Sequence, residues 1–362
     1  MLATVCPAGA AALPEDVPER PEVLREVSEV AEATIVLARE TAVAPALHHR
    51  LREDAKEIVK AFLAEAEAEH REVRRTDPDS VPPTFSLLVE HQPSLVSRDL
   101  VSLLISSEVF TGGAHADFRL EGIIYDLRRK VFVEPEDILA GGYGWPNNER
   151  LLKELVATKL RAQKRARLRD EYDAERDEAW LKGLTLPLEA VTLVPSTEPG
   201  RIGGLAFHFA PYVAGPYAEG SYRVDVAARE LAPMLAPAWR AAFAGEPISL
   251  VHVRGSAIGE PAFVLIAEPQ PDSVVGSSIR IAGEAPAYVL AGGSLKATIS
   301  RSDGGLLAEG KLAADRKRRP SGTALGMVPF AGQLEVTQGE GAALIRIGNY
   351  SGPTFSVTIH RK

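Results

Sequence analysis

Leu47, Leu51, Ala55, Ile58, Phe62 and Ala66 recur at spacings of three and four. That spacing draws one apolar stripe along a helix. It predicts a helix over Pro45–Arg74, with Pro45 suited to the first turn. Asp77-Pro78 and Pro82-Pro83 then break the chain. Beyond them the pattern shortens to that of strands. Phe85–His91 and Leu95–Val109 read as extended, with a turn near Gln92-Pro93. A Gly112-Gly113 turn leads to strands at Arg119–Tyr125 and Lys130–Val133. Pro135–Leu139 reads as a helical turn. A second long helix is expected over Asn148–Trp180, broken near Tyr172. Strands return at Ala190–Val194, Leu205–Phe209 and Arg223–Val226. The segment Pro211–Gly220 carries too many Pro and Gly for a regular element. Ala228–Phe243 reads as helix interrupted at Pro233 and Pro237.

After Gly245 no helical period persists. Short alternating runs follow at Leu250–Val253, Phe263–Ala267, Ile279–Ala282, Leu295–Ile299, Gly332–Val336, Leu344–Ile347 and Phe355–Ile359, and Ser302-Asp303-Gly304-Gly305 suits a hairpin turn. Short strands punctuated by turn residues predict an antiparallel sandwich. The chain therefore divides into an α+β part over 31–245, with helices on a mainly antiparallel sheet, and an all-β part over 260–362. Residues 13–30 are rich in Pro and Glu and read as a tether.

Composition narrows the broad class of the chain and says little of its chemistry. Hydrophobic residues make up 45% and charged residues 25% of 362, ordinary values for a chain with a sizeable core. A net charge of −8 argues against nucleic acid as a partner. No run approaches the roughly 18 apolar residues of a membrane helix, so no transmembrane segment is expected. The one cysteine, Cys6, cannot form an internal disulfide. Met1–Ala12 is apolar and small, and residues 1–30 read as the remnant of an export signal followed by the tether. A lipid anchor at Cys6 is a further reading, although Ala3-Thr4-Val5 departs from a lipobox.

Two sets of residues carry a resemblance. Phe110-Thr111-Gly112-Gly113-Ala114-His115, Tyr125-Asp126-Leu127 and Pro135-Glu136-Asp137-Ile138-Leu139 form one signature. Phe207-His208-Phe209-Ala210-Pro211-Tyr212 and Ala214-Gly215-Pro216-Tyr217-Ala218-Glu219-Gly220 form a second. Residues 85–243 thereby resemble an extracytoplasmic domain of unknown function. That domain is shared by a lysozyme-sensing anti-sigma factor and a peptidoglycan deacetylase, where it lies outside the catalytic domain. Ile279–Ala285, Asp303-Gly304, Ala308-Glu309-Gly310, Val328-Pro329-Phe330 and Gly348–Gly352 resemble an immunoglobulin-like domain of bacterial spore-germination proteins. The resemblance implies an immunoglobulin-like sandwich for the all-β part and an extracytoplasmic location, in the periplasm or at the cell surface. Neither family is defined by a catalytic constellation.

Candidate chemistry gathers on two loops. Thr111, Gly112, Gly113 and His115 form the first: paired glycines admit positive φ and display backbone amides and an imidazole. Tyr212, Tyr217 and Glu219 form the second, where tyrosines on a Pro/Gly-rich loop offer stiff amphipathic contact surface. The structural alternative is that the imidazole braces a turn and the rings close the core. Nucleophile motifs are absent: there is no G-x-S-x-G, and Cys6 lies in the tail. The helical Glu67-x-x-His70 pair occurs once, which does not make a metal site. Lys159–Arg169 reads as a solvated basic helix with i, i+4 ion pairs. Arg316–Arg319 reads as a charged hairpin tip. No cofactor is expected. The sequence thus predicts a non-enzymatic, secreted cell-envelope protein that recognises a protein, with lysozyme one candidate, or a cell-wall glycan. A structural or adhesion module is the alternative, and a peptidoglycan-modifying enzyme a more distant one.

Overall fold

A computed structural model describes residues 17–18, 20–140, 145–168, 171–254, 261–270, 273–290, 294–301, 304–315, 317–318, 327–336, 339, 341–347 and 354–359. Cys6, Ser302-Asp303, Arg316, Arg319 and Gly348–Gly352 fall outside these residues.

The first sheet has six strands in chain order: β1 (Glu22–Val27), β2 (Ala31–Leu37), β3 (Phe85–Val96), β4 (Leu100–Phe110), β5 (Asp117–Asp126) and β6 (Val131–Phe132). The edge strand β1 lies within the segment expected to be a tether. Leu24 packs against the core, and Glu22 on this strand meets Arg52. All pairs are antiparallel except β2–β3, which are parallel. That exception follows from the helix between them: α1 (Pro45–Thr76) carries the chain back across the sheet, as a parallel pair requires. The predicted stripe buries Leu47, Leu51, Ala55 and Ala66, whereas Ile58 stays 45% exposed and Val59 takes its place.

The turn expected near Pro93 is absent, and β3 runs on to Val96. Its ladder slips a register between Pro93 and Leu95, and a bulge is where a strand tolerates proline. The slip changes faces. Leu87 and Val89 point into the core under α1, and Leu95 into the core on the other side. The reversal comes at Ser97, whose Oγ accepts from the amides of Asp99 and Leu100.

On that other side lies a three-stranded antiparallel sheet of β7 (Val191–Pro195), β8 (Ile202–Phe209) and β9 (Tyr222–Ala227). Two features clamp the sheets. Ser102 Oγ accepts from the Leu193 amide at 3.0 Å. Gly122 lies so close to β7 that a Cβ there would fall 2.0 Å from Val191 O. Short α2 (Pro135–Ile138) and long α3 (Trp145–Leu168) follow the first sheet. The helix expected to 180 divides: α4 (Ala174–Lys182) starts afresh, with Asp173 capping the amides of Glu175 and Arg176. The helix expected over 228–243 shrinks to α5 (Ala228–Leu231) and a 3-10 turn at 232–234. Pro233 and Pro237 remove the donors a longer helix would need.

The all-β part forms one continuous nine-stranded sheet. Its strands are β10 (Ser249–Arg254), β11 (Pro261–Glu268), β12 (Val274–Val275), β13 (Ser278–Pro286), β14 (Ser294–Arg301), β15 (Leu306–Ala314), β16 (Met327–Glu335), β17 (Gly341–Ile347) and β18 (Thr354–Ile359). Their order is β10-β11-β13-β16-β15-β14-β17-β18-β12. Each run read as a strand falls on one, Val336 alone lying a residue past the end of β16; β12 and β15 were not foreseen. Val264 and Ile266 near one end share a core with Ile345, Ile347 and Ile359 near the other, so the sheet curls on itself. The corner is at β15–β16, which share only Ala313↔Ala331 and Ala314↔Phe330 in register. Strand β10 precedes the expected boundary at 260 and joins this sheet.

Candidate functional site

The two loops singled out in the sequence meet in space. The first joins β4 to β5 and the second follows β8. Gly112 and Gly113 have φ of 101° and 104°, a stretch of backbone that side chains resist. The reversal puts His115 against the second loop. Its imidazole stacks on Tyr217, with ring centroids 3.8 Å apart and planes 16° from parallel. Its Nε2 lies 3.2 Å from the Tyr212 hydroxyl, and its Nδ1 3.0 Å from the Ala116 carbonyl. A carbonyl can only accept, so Nδ1 carries the proton in the neutral ring. Nε2 is then the acceptor for Tyr212 O–H. Tyr212 and Tyr217 stand 5.6 Å apart, and Phe118 lies 6.3 Å from Tyr217. Two residues from the loop after β8, and two from the β4–β5 turn and β5, thus make one aromatic cluster.

Much of the cluster faces solvent. Tyr212 is 55% exposed and Phe118 39%, and Val213 beside Tyr212 is 42% exposed. Tyr212 also has φ 70°. A bulky residue held in the left-handed region is rare and strained. A shallow cleft of about 310 Å³, lined by Ala179, Trp180, Gly183 and Val213, continues the surface. Thr111 and Gly113 lie exposed on the first loop, Gly112 less so. Sequence reasoning missed Phe118 and Trp180. Their signal was an aromatic among charged neighbours, Asp117-Phe118-Arg119 and Glu178-Ala179-Trp180.

Glu219 departs from the expectation. Its side chain is only 6% exposed and turns inward to Lys164 Nζ at 3.2 Å. Tyr222 donates its hydroxyl to Glu219 Oε2 at 2.7 Å. Burial, then the hydrogen bond to Glu219, hold the Tyr222 phenol well above its usual range. Lys164 is 1% exposed, lies 2.6 Å from Asp177 Oδ1 and donates to Ala214 O at 2.6 Å. Tyr172 donates to Asp177 Oδ2 at 2.9 Å. Arg167 reaches the carbonyls of Glu219 and Ser221 and covers the Tyr222 ring at 3.9 Å. Glu219 therefore anchors the loop from below, and the tyrosines occupy its outer side.

The basic helix α3 is likewise less solvated than expected. Lys159 pairs with Glu230 and Arg161 with Glu178, across elements rather than along the helix. Lys164 lies four residues beyond Leu152, Val156 and Leu160 in their own stripe, all three at 0% exposure. That register was the signal for its burial. The second family signature divides between surface and core: Phe207 and Phe209 are fully buried, and His208 Nε2 meets Thr192 Oγ1 at 2.8 Å. His70 packs edge-on against Phe85 at 4.8 Å. Among the described residues no three His, Cys, Asp or Glu side chains converge to hold a metal ion, and no helix is long and apolar enough to cross a membrane.

No family model matches the chain, and no curated protein matches it. Two solved structures are similar in part. One is a DUF3298 family member from Bacteroides fragilis, 18% identical, covering 63% of this chain and 96% of its own, with a TM-score of 0.43. The other is a DUF3298 family protein from Pseudomonas aeruginosa, 20% identical, covering 61% and 96%, with a TM-score of 0.39. Likenesses this distant add nothing to the chemistry of the site, which rests on the chain's own residues.

Proposed function

We propose that this chain is a non-enzymatic, extracytoplasmic binding or sensing protein of the cell envelope. It takes its ligand on the surface formed by His115, Phe118, Tyr212 and Tyr217. The observation that carries this reading is the exposed aromatic cluster, assembled from two distant loops and topped by a tyrosine in a strained backbone conformation. Strain of that kind is retained where the surrounding structure holds a side chain for use. Stiff aromatic rings with polar edges suit a sugar ring or a protein hot spot.

The ligand classes are a cell-wall glycan or a protein, lysozyme being the protein suggested by the sequence resemblance. On this reading Cys6 or an export signal accounts for the location, and the all-β part serves as an immunoglobulin-like spacer. A pull-down against soluble peptidoglycan fragments and against lysozyme tests the proposal, with a His115→Ala/Tyr217→Ala double variant as control. Capture by the native chain and loss in the folded variant is the expected result. Absence of capture for both ligands would return the chain to the structural, adhesion-module reading.

A further inference from the structure

We propose that Lys164 and Asp177 become joined by an amide bond inside the folded protein, with Glu219 relaying the proton. The three groups form a closed site between α3, α4 and the Pro211–Gly220 loop. Their side chains are 1%, 3% and 6% exposed. The Lys164 amine lies 2.6 Å from Asp177 Oδ1, yet Oδ1 accepts no directional hydrogen bond. The nitrogen is pressed against the carboxyl group without being aligned to donate to that oxygen. Its directed hydrogen bond goes to Ala214 O instead.

The surroundings hold the reactants in place. Tyr172 fixes Asp177 through the other oxygen, Oδ2, and the capped start of α4 fixes the backbone behind it. Tyr222 holds the Glu219 carboxylate, whose Oε2 is 3.2 Å from the Lys164 nitrogen. Gly215 makes the approach feasible. A Cβ there would fall 2.4 Å from Glu219 Oε2 and 3.1 Å from Lys164 Nζ. The Tyr222 ring, 5.7 Å from the amine, walls the site. Reactants held in such contact react as one molecule, and the entropy of bringing them together is already spent.

The chemistry balances without any co-reactant. Lys164 enters as ammonium and Asp177 as carboxylate. Glu219 takes a proton from Nζ, whose freed lone pair attacks Asp177 Cγ and forms the C–N bond. The carboxyl oxygen is protonated through Glu219, the Cγ–O bond breaks, and one water leaves. Three hydrogens begin on nitrogen; one stays on the amide and two depart with the water. The product also removes two charges from a site where burying them is costly. The resulting bridge ties α3 to α4 and braces the loop that presents Tyr212 and Tyr217.

Intact-mass measurement of the full chain, denatured, tests this directly. The expected mass is one water below that summed from its residues, with digestion yielding a branched peptide joined through Lys164 and Asp177. Lys164→Arg, which keeps the charge but cannot form the same amide, is expected at its full summed mass. Asp177→Asn offers ammonia as the leaving group and is expected to come out lighter by one ammonia. Glu219→Gln is expected to close more slowly or not at all. A native chain at full mass overturns the proposal. So does a loss of water that persists in Lys164→Arg.

Discussion

Tyr212 combines three properties that rarely coincide: a bulky side chain, solvent exposure and φ of 70°. Glycine at this position would relieve the backbone, an effect of about 1 kcal/mol. Tyr212→Gly is therefore expected to leave thermal stability unchanged or slightly raised, as read by calorimetry. A ring needed for packing would instead lower it. His91 illustrates the opposite case. It is 5% exposed with an unpartnered Nδ1, and burial, followed by the nearby His48, pushes its pKa down to about 4. The unfolded chain takes up this proton near pH 6.5 and the folded chain only near 4. Stability is therefore undiminished by His91 above pH 6.5 and falls as pH drops through this window. The loss is on the order of 3 kcal/mol. Denaturant titrations across pH 4–7 should show it, with a flatter profile in His91→Gln. The two loops could be read from sequence because Gly-Gly and Pro/Gly-rich composition announce irregular backbone. The inward turn of Glu219 could not, because its partner Lys164 is 55 positions earlier in the chain, on α3.

The helix α1 and the strands around it follow the apolar period closely, since burial of one face decides both. One failure occurs where a single residue has two uses. Pro93 was read as a turn because proline breaks ladders, but a bulge accommodates it and β3 changes faces there. Pairing between sheets is invisible to periodicity altogether. The Ser102 hydroxyl and the bare Gly122 backbone meet β7 from a segment about 90 residues earlier for Ser102. Ser102→Ala should cost about 1–3 kcal/mol in denaturant unfolding, because it strands the buried Leu193 amide. Gly122→Ala should cost about 3 kcal/mol or more, since the added methyl would meet β7 backbone rather than a side chain that can yield.

The two parts of the molecule are docked. Ile248 N donates to Pro195 O, Ser196 bridges to Pro247, and the buried Arg39 places its guanidinium over the Tyr288 ring at 4.8 Å. Trp145, Trp180 and Trp239 all precede residue 245, so tryptophan fluorescence reports the α+β part alone. Circular dichroism reports both. Docking of this kind predicts coincident thermal transitions by the two probes, and separation of them in Tyr288→Ala. The sequence reading ends the α+β part at 245 and starts the all-β part at 260, whereas β10 (Ser249–Arg254) already belongs to the nine-stranded sheet. It was silent on their contact, which is made by side chains from distant segments.

The central claim is that the aromatic cluster is a recognition surface rather than a cover for the core. Its most direct test is Tyr212→Gly, measured for equilibrium binding to soluble peptidoglycan fragments and lysozyme alongside the native chain. The native chain is expected to bind one of them, and the variant, as stable or more so, to bind about tenfold more weakly or worse. A variant that binds as the native chain does, or that loses binding only by unfolding, would contradict that claim.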